Sequence, residues 1–394
     1  MNRCKWLVLI GMLISVVADA APPVLSNIRA SQRAGTKLVD IYYDVADADG
    51  DLQTVQVYVS ADSGFSYRIP AVSFTGALVG VTPGVNKHIV WDAGHDWNGQ
   101  FVPACKVRIV CSDGTTPIPP FGMVYIPAGA FQMGDNFNEL GDDTKPVHTV
   151  NVDGFFMDKF EVSRELWTDV RTWALANGFS MNSGTARDAG HPIESVSWYD
   201  AIVWCNARSS KEGLTPVYYT DASKTVIVQS GMDITTACVK WTANGYRLPT
   251  EAEWEKAARG ARLGNRYPWG DNVDGSMANY SGSGDPYESG SPQTTPCGYY
   301  NGGQTPAGVD MANGYGLYDM AGNAWEWCWD WYSSTYYATP DSLDNPRGPT
   351  SGSSKLLRGG SWSLNTGVLR CAYRDVNGPG NSYDSIGFRC VRGH

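Results

Sequence analysis

The chain has 394 residues, enough for two or three domains, and 42% of them are hydrophobic, so a sizeable core can be buried. Its 44 glycines and 22 prolines favour loops and turns over long helices. A formal net charge of −10 argues against nucleic-acid backbone or anionic lipid as the main partner, because both are themselves negative.

The N-terminus has the organisation of a secretory signal peptide. Arg3 and Lys5 precede a short apolar run, 6–17, and residues 18–20 (ADA) match a cleavage site. The run is too short for a permanent anchor, and no later segment reaches transmembrane length. We therefore predict a signal peptide over 1–20 and a protein without a membrane span that is exported to the periplasm, the cell surface or the medium.

Residues 22–114 are predicted to form a separate β-domain. Alternating apolar residues or short apolar runs predict strands at 39–45, 52–59, 88–91 and 102–111. The pattern is typical of a small β-sandwich and resembles immunoglobulin or fibronectin-type modules. The proline-rich segment 115–120 then predicts a linker to a second domain over 121–394.

Four aspartates surround the turn signal between the first two predicted strands: Asp44, Asp47, Asp49 and Asp51. Two interpretations are open, a calcium site and an acidic hairpin turn.

The sequence predicts where three helices of the second domain begin and end. Ser163, Ser197 and Thr250 are N-cap residues, and the last two are followed three positions later by an acid that completes a capping box. The predicted helices are 164–177, 198–212 and 251–259. Strands are expected within 122–134, 147–156 and 160–162, and residues 282–306 are expected to be loop.

The stretch 313–332 organises this domain. Tryptophan stands at every other position of 325–331, which predicts an extended segment with the indoles on one face and the acids and Cys328 on the other. Just upstream, Asp319 and Glu326 flank Gly322, where the chain can turn sharply so that oxygen atoms converge. Either this is a calcium site, or it is a core strand beside a solvated turn.

Seven motifs carry a family resemblance. In chain order they start at Gly122 (GMVYIPAGAFQMG), Pro192 (PIESVSWYDA), Gly245 (GYRLPTEAEWEKAARG), Tyr267 (YPWGD), Asn313 (NGYGLYDMAGNAWEWCWDW), Leu357 (LRGGSW) and Gly387 (GFRCVR). Together they resemble the formylglycine-generating enzyme, or sulfatase-modifying factor, family. The resemblance implies an α+β fold related to C-type lectins, with little regular secondary structure.

The resemblance also implies two structural calcium sites. The first would use Asp319, the carbonyls of Gly322 and Ala324, and Glu326. The second would use Asn279, the Tyr280 carbonyl, Asp285 and the Tyr287 carbonyl. Both would hold loops that no helix or sheet organises.

A partial disulfide pattern follows from the resemblance as well. Cys205 and Cys390 match one bridging pair. Cys371 matches half of another, but Ala258 stands where its partner is expected. Cys371 is then free, or pairs with Cys238, Cys297 or Cys328. The pairing of Cys105 and Cys111 is also open, although one continuous strand would hold them too far apart to bond to each other.

Active members of the family oxidise a cysteine of a sulfatase peptide with O₂ and copper, and they need two close thiolates because Cu(I) prefers soft sulfur. Here the corresponding interval, 362–370, contains no cysteine, and Leu364 stands about where the first thiol is expected. Copper is therefore doubtful. The groove candidates implied by the resemblance are Ser361, Trp362, Leu364, Arg370 and Arg374. Arg374 can bind a polar ligand or pair with Asp375 at the surface.

The sequence does not indicate another set of metal-binding or redox-active residues in place of the missing thiols. The five histidines are His88, His95, His148, His191 and His394, none within four residues of another, so no compact metal triad is predicted. His148 and His191 either meet in space or are separate surface or hydrogen-bonded histidines. Cys297 and Cys328 are either a new thiol pair or simply a disulfide or buried thiols.

These observations lead to one expected function and two rivals. We expect an exported, calcium-stabilised member of the family that acts as a divergent binding or accessory domain. One rival is an active protein-modifying oxidoreductase that uses rearranged residues. The other is an adhesive, lectin-like surface protein. The partner is a protein, a peptide or a glycan, which the sequence does not identify.

Overall fold

The structure is a computed structural model that describes residues 23–61, 69, 71–99, 105–114, 117–290 and 293–393. The chain divides into two compact units, Met1–Ile118 and Pro119–His394. The predicted signal peptide lies outside the described residues. Within the described part of the chain, no helix combines the length and the apolar composition needed to cross a membrane.

The first unit consists of antiparallel strands. Their bounds are β1 Val24–Gln32, β2 Leu38–Ala46, β3 Thr54–Ser60, β4 Phe74–Gly76, β5 Gly84–Asp92 and β6 Lys106–Ser112, with a one-turn helix α1 at Ala93–Asp96. One sheet has the order β1-β2-β5-β4, and β3 pairs with β6 in a second sheet. Alternate side chains from both sheets meet in one hydrophobic cluster that includes Ile41, Val57, Ile89 and Ile109. The likeness to an immunoglobulin or fibronectin module stays a prediction.

The acidic turn between β2 and β3 is not a hairpin, because these strands lie in different sheets. Asp47 closes the turn: its Oδ1 accepts from the amides of Asp49 and Gly50, and its Oδ2 accepts from Gln53 at 2.5 Å. The Asp44 carboxylate accepts from neighbouring strands instead. These contacts favour the turn interpretation over a calcium site.

The second unit mixes short strands with three helices. The strands are β7 Met123–Ile126, β8 Gly129–Met133, β9 His148–Val152, β10 Phe155–Asp158, β11 Tyr246–Arg247, β12 Trp325–Trp331, β13 Lys355–Arg358, β14 Asp375–Asn377, β15 Ile386–Gly387 and β16 Val391–Gly393. They form sheets of order β11-β16-β10-β7 and β14-β13-β12-β15 and a β8-β9 pair. The strand expected at 160–162 is absent from this described stretch, where the Val162 amide donates to the Phe388 carbonyl in irregular backbone.

The helices are α2 Arg164–Ala176, α3 Trp198–Lys211 and α4 Glu251–Arg259. Each begins at the predicted residue and ends within one residue of the predicted end. Ser163 caps α2 through the Leu166 amide, and both predicted capping boxes form. These caps satisfy amide groups that a helix end leaves without partners, so local sequence alone fixes the helix starts.

The tryptophan stretch forms β12, as predicted, but its second face is not solvated. Trp325, Trp327 and Trp329 pack into one hydrophobic cluster, and Cys328 packs into another on the opposite side. Glu326 is 0% exposed and Asp330 is 2% exposed. The strand is therefore buried on both faces, which period-two alternation alone does not predict.

Candidate functional site

The loop that follows β13 is the part of the fold in which the resemblance places a substrate groove. Gly359 and Gly360 turn the chain with φ of +94° and +78°, and Ser361 and Trp362 come next. Ser361 is fully buried, and its Oγ lies 3.0 Å from the Oγ of Ser363. Leu364 is 36% exposed, so the loop offers apolar surface to solvent.

Trp362 contacts a buried acid from a distant part of the chain. Its indole Nε1 donates to Glu194 Oε1 at 3.1 Å and to the Asp384 carbonyl at 3.2 Å. Glu194 is 0% exposed and sits in a short bridge with Thr185, just ahead of the cap of α3. Its Oε2 has no hydrogen-bond partner in the described part of the chain.

Burial changes the acidity of Glu194. Desolvation disfavours the carboxylate and outweighs the Trp362 hydrogen bond, so the pKa of Glu194 rises to about 9. The nearby Asp384 charge adds to the rise. At neutral pH the group is consequently a neutral carboxylic acid beside the groove loop, able to donate a hydrogen bond or a proton.

The groove loop is bonded directly to the two loops expected to bind calcium. The Trp362 amide donates to the Asn323 carbonyl, and the Leu364 carbonyl accepts from the Ser281 amide, both at 2.9 Å. The Asn323 side chain accepts from Thr295 and donates to Glu161. A displacement of either of these loops would therefore move the groove loop as well, because backbone hydrogen bonds join them.

The first expected calcium site lies in a buried cluster of carboxylates. Gly322 has φ of +85°, and a Cβ there would lie 2.2 Å from the Asn279 carbonyl, so only glycine fits this turn. Glu326 is fully engaged: Arg389 donates to both of its oxygens at 2.7–2.9 Å, and Trp254 Nε1 donates at 2.7 Å. Asp319 and Glu161 complete the cluster.

Charge in this cluster is not balanced. The three carboxylates of Glu161, Asp319 and Glu326 interact with the one guanidinium of Arg389. Burial, together with neighbouring carboxylates, raises the pKa of Glu161 well above its usual range and that of Asp319 to about 6. The cluster therefore has excess negative charge near Asp319 and Glu161, while Glu326 already has its cation. Within the described residues, no three His, Cys, Asp or Glu side chains stand ready to hold a metal ion.

The second expected site has its oxygens bonded to protein donors. The Tyr287 carbonyl accepts from Arg187 Nη1 at 2.6 Å. Asp285 accepts from the Tyr287 amide and from Ser283 Oγ, both at 2.7 Å, and the Tyr280 carbonyl accepts from the Ser283 amide. The side-chain nitrogen of Asn279 donates to the Gln293 carbonyl at 2.9 Å. A cation at this position would have to displace Arg187, so these residues fit calcium less well than Asp319 and Glu161 do.

Two groove candidates have other roles. Arg374 is not on a solvated loop: it is 7% exposed and binds Glu251 through Nε at 2.6 Å and Nη2 at 3.0 Å. Of the two interpretations left open for Arg374, the surface pair with Asp375 is therefore wrong. Arg370 pairs with Glu139 at 2.7 Å. Both arginines are committed to internal partners, which leaves Trp362 and Leu364 as the groove side chains.

The cysteines separate into one close pair and several isolated thiols. Cys205 Sγ and Cys390 Sγ lie 3.5 Å apart and are unbonded in the structure. Cys371 is buried, and desolvation raises its pKa to about 12. Cys297 donates to the Glu161 carbonyl, whereas Cys328 lies near Asp330, so these two do not share an environment. Since 362–370 offers no soft ligand, the residues of this loop do not fit Cu(I).

The described histidines are dispersed. His88 contacts Asp40, His95 contacts Asp96, His148 contacts the Pro146 carbonyl and His191 contacts Thr294. His394 lies outside the described residues. None of the described four shares a hydrogen-bond partner with another in these contacts.

Sequence reasoning missed two buried acids of the site, Glu194 and Glu161. Each is a single acid with at least one apolar neighbour: Ile193 precedes Glu194, and Phe160 and Val162 flank Glu161. That pattern is a usable signal, because an acid is rarely buried without a specific partner or role.

The fold and the site define a class, a mixed α/β domain with few helices, many short strands and long ordered loops. The profile of the sulfatase-modifying factor enzyme 1-like domain matches residues 113–394, and the chain belongs to this family. It is 32% identical over 297 residues to the formylglycine-generating enzyme of Bos taurus, covering 71% of this chain and 77% of that one.

Two further relatives extend the comparison. The chaperone protein LppX of Paenibacillus barcinonensis is 34% identical over 304 residues, 72% of this chain and 93% of its own. Among solved structures, Treponema denticola variable protein 1 superposes with a TM-score of 0.53 at 31% identity, covering 69% of this chain and 95% of that protein. The family resemblance stated from the motifs is thus confirmed.

Proposed function

We propose that this protein is an exported member of the family whose groove binds an extended polypeptide segment and performs no copper-dependent oxidation. One observation carries the proposal: the groove loop 362–370 contains no cysteine where copper chemistry needs two thiolates. Two of the accessible side chains there, Trp362 and Leu364, suit apolar contact with a polypeptide. The name of LppX, a chaperone protein, supports a binding role for such a domain.

Glu194 positions a groove side chain and does not line the groove. It is 0% exposed, so it cannot contact a bound segment, and its Oε1 accepts from the Trp362 indole N–H at 3.1 Å. As a neutral acid it orients Trp362 without placing a charge beneath the apolar contact surface. The proposed groove therefore binds through apolar contact, which suits an unfolded segment with exposed apolar side chains.

Calcium has a structural role in this proposal. A calcium ion near Asp319, with the Gly322 and Ala324 carbonyls, would offset the excess negative charge of the carboxylate cluster. Glu161 is the additional carboxylate available to it. Because Asn323 joins this turn to Trp362, the ion would keep the groove loop in place without entering any chemical step.

The test separates binding from oxidation. A fluorescently labelled, reduced and carboxymethylated α-lactalbumin is the unfolded probe, and its anisotropy reports binding to the full chain. We expect binding that Trp362→Ala and Leu364→Ala each weaken about tenfold, the loss of a large buried contact. Leu263→Ala is the matched control, since Leu263 is 82% exposed elsewhere on the unit.

A second experiment tests the alternative function, an active protein-modifying oxidoreductase. A Cys-x-Pro-x-Arg peptide is incubated with the protein, Cu(I) and O₂, and mass spectrometry follows its cysteine. We expect the cysteine to remain unchanged. Conversion to formylglycine defeats the proposal, and so does the absence of any binding to the unfolded probe. A glycan array with uniform silence would count against the adhesive alternative.

A further inference from the structure

An exposed tyrosine lies beside the groove loop, next to Trp362. The Trp362 indole donates to the Asp384 carbonyl at 3.2 Å, which brings the tryptophan against the chain neighbour of Tyr383. Tyr383 is 52% exposed although its backbone is held, because its carbonyl accepts from the Ser195 amide at 2.9 Å. The groove loop therefore has a second large apolar side chain at one of its borders.

The opposite border of the groove loop also presents aromatic side chains. The Ser281 amide donates to the Leu364 carbonyl at 2.9 Å, which places Tyr280 next to the loop. The Tyr267 hydroxyl donates to another carbonyl of the loop at 3.2 Å, and the Tyr267 ring stacks on Trp269 with 6.2 Å between ring centres. Tyr280 and Trp269 are partly exposed and pack on one small hydrophobic cluster.

These partly or largely exposed side chains follow one another across the groove loop, and we call them the apolar strip: Tyr383, Trp362, Leu364, Tyr280 and Trp269. A contiguous exposed apolar surface is typical of an interaction site. In an extended polypeptide, alternate side chains lie on the same face, about 7 Å apart. The strip therefore suits a segment with an apolar residue at every second position.

Two acids border the strip beside Tyr280. Burial, and then the carboxylates of Asp274 and Glu288, raise the pKa of the Tyr280 phenol, so both charges lie near its ring. Both acids are exposed. Within the described residues, their carboxylates accept only from nearby amides and serine hydroxyls, and neither forms an ion pair.

The other charged groups on this side do not offset the two acids. Arg266 and Arg370 both bind Glu139, at 2.5 and 2.7 Å. A third cation, Arg187, donates to a carbonyl next to Glu288 at 2.6 Å. Against these three cations stand five acids, which are Asp135, Glu139, Asp271, Asp274 and Glu288. The net charge at this border is negative, which favours basic over acidic side chains in a partner.

We propose that the groove takes extended segments with apolar residues at every second position and a flanking basic residue, the apolar side chains on the strip and the basic one beside Asp274 and Glu288. Tyr383 is then a specificity-determining residue of the groove. This inference rests on the proposed polypeptide-binding function and adds a side-chain pattern and a charge to it.

Four fluorescently labelled peptides of the same length test the pattern and the charge separately, by anisotropy with the full chain at constant calcium. KLSFSLK has the proposed pattern, and KSLFLSK has the same composition, but only two of its three apolar side chains can share a face. We expect KLSFSLK to bind about fivefold more tightly, the effect of one additional apolar contact. ELSFSLE and QLSFSLQ change only the flanking charge.

The flanking charge should matter mainly at low salt. We expect KLSFSLK to bind about tenfold more tightly than ELSFSLE in 50 mM NaCl, with QLSFSLQ between them, and about twofold more tightly in 0.5 M NaCl. The double variant Asp274→Asn, Glu288→Gln should reduce the tenfold preference to about threefold, because two of the five acids are then neutral.

Tyr383→Ala should weaken KLSFSLK about fivefold and remove its advantage over KSLFLSK. Leu343→Ala is the matched control and should change neither affinity, since Leu343 is 44% exposed next to β9. Circular dichroism and the urea midpoint establish that each variant is folded.

The outcomes separate this inference from the proposed function. Equal affinities for KLSFSLK and KSLFLSK, equal affinities for KLSFSLK and ELSFSLE in 50 mM NaCl, or an unweakened, folded Tyr383→Ala would each overturn the inference. The proposed function survives these results as long as unfolded α-lactalbumin binds and Trp362→Ala weakens that binding. If neither the peptides nor α-lactalbumin bind, both are overturned.

Discussion

Replacing Glu194 with glutamine tests whether the acid under Trp362 is neutral in the folded protein. The ordinary pKa is 4.5 and the folded value is about 9. Because the folded-state pKa is raised, the stability that neutral Glu194 contributes is fully present below pH 4.5 and is lost as the pH rises toward 9. Each pH unit in this window costs about 1.4 kcal/mol, so folding at pH 7 loses about 3 kcal/mol relative to pH 4.5.

Glutamine has the same shape, can still accept from Trp362, and does not ionise. We therefore expect Glu194→Gln to be close to the unaltered protein in stability at pH 4.5 and to become more stable than it by about 3 kcal/mol at pH 7. Urea unfolding followed by tryptophan fluorescence at pH 4.5, 5.5, 6.5, 7.5 and 8.5, with constant calcium, measures this difference.

Asp142→Asn is the control. The Asp142 side chain is fully exposed, so removing its charge should leave the pH dependence of the free energy of unfolding unchanged. A stability difference between Glu194→Gln and the unaltered chain that is the same at every pH would refute the reasoning. It would mean that Glu194 is equally charged in the folded and unfolded states.

Three other predictions concern stability. Under oxidising refolding, we expect Cys205 and Cys390 to bond, closing a loop of 185 residues and adding up to about 5 kcal/mol; peptide mapping would show the bond, and free thiols at both positions would contradict it. Arg358→Met should cost about 3 kcal/mol in urea unfolding, since it deprives the buried Glu255 carboxylate of a partner 2.5 Å away; an unchanged midpoint would show that this pair is dispensable. Calcium at a hundred times its Kd should stabilise the unaltered chain by about 2.7 kcal/mol, an increment that EGTA removes and Asp319→Asn reduces; a melting temperature indifferent to EGTA would exclude the calcium site.

Much of the local structure was predictable because its causes are local. Ser163, Ser197 and Thr250 bond to amides three residues away, so the helix starts follow from short sequence windows. The same holds for β12, where alternation over seven residues predicts an extended segment. The family, too, follows from motifs that are each contiguous in the chain.

The tertiary structure alone decided which side chains meet. Trp362 and Glu194 are 168 residues apart, and Arg374 and Glu251 are 123 apart. The sequence left Arg374 either as a ligand-binding residue or as half of a surface pair with Asp375, whereas the packing of the loop against α4 gives it the buried carboxylate of Glu251. Burial of β12 on both faces likewise depends on what covers it, which alternation does not encode.

The sequence by itself determined the helices, the central strand, the family and the lack of thiols in the groove loop, because each of these depends only on contiguous residues. Only the folded chain decided that Glu194 is desolvated and that Glu326 is taken by Arg389. The physical reason is that the pKa of an acid, and the partner it binds, depend on which distant groups surround it and exclude water from it.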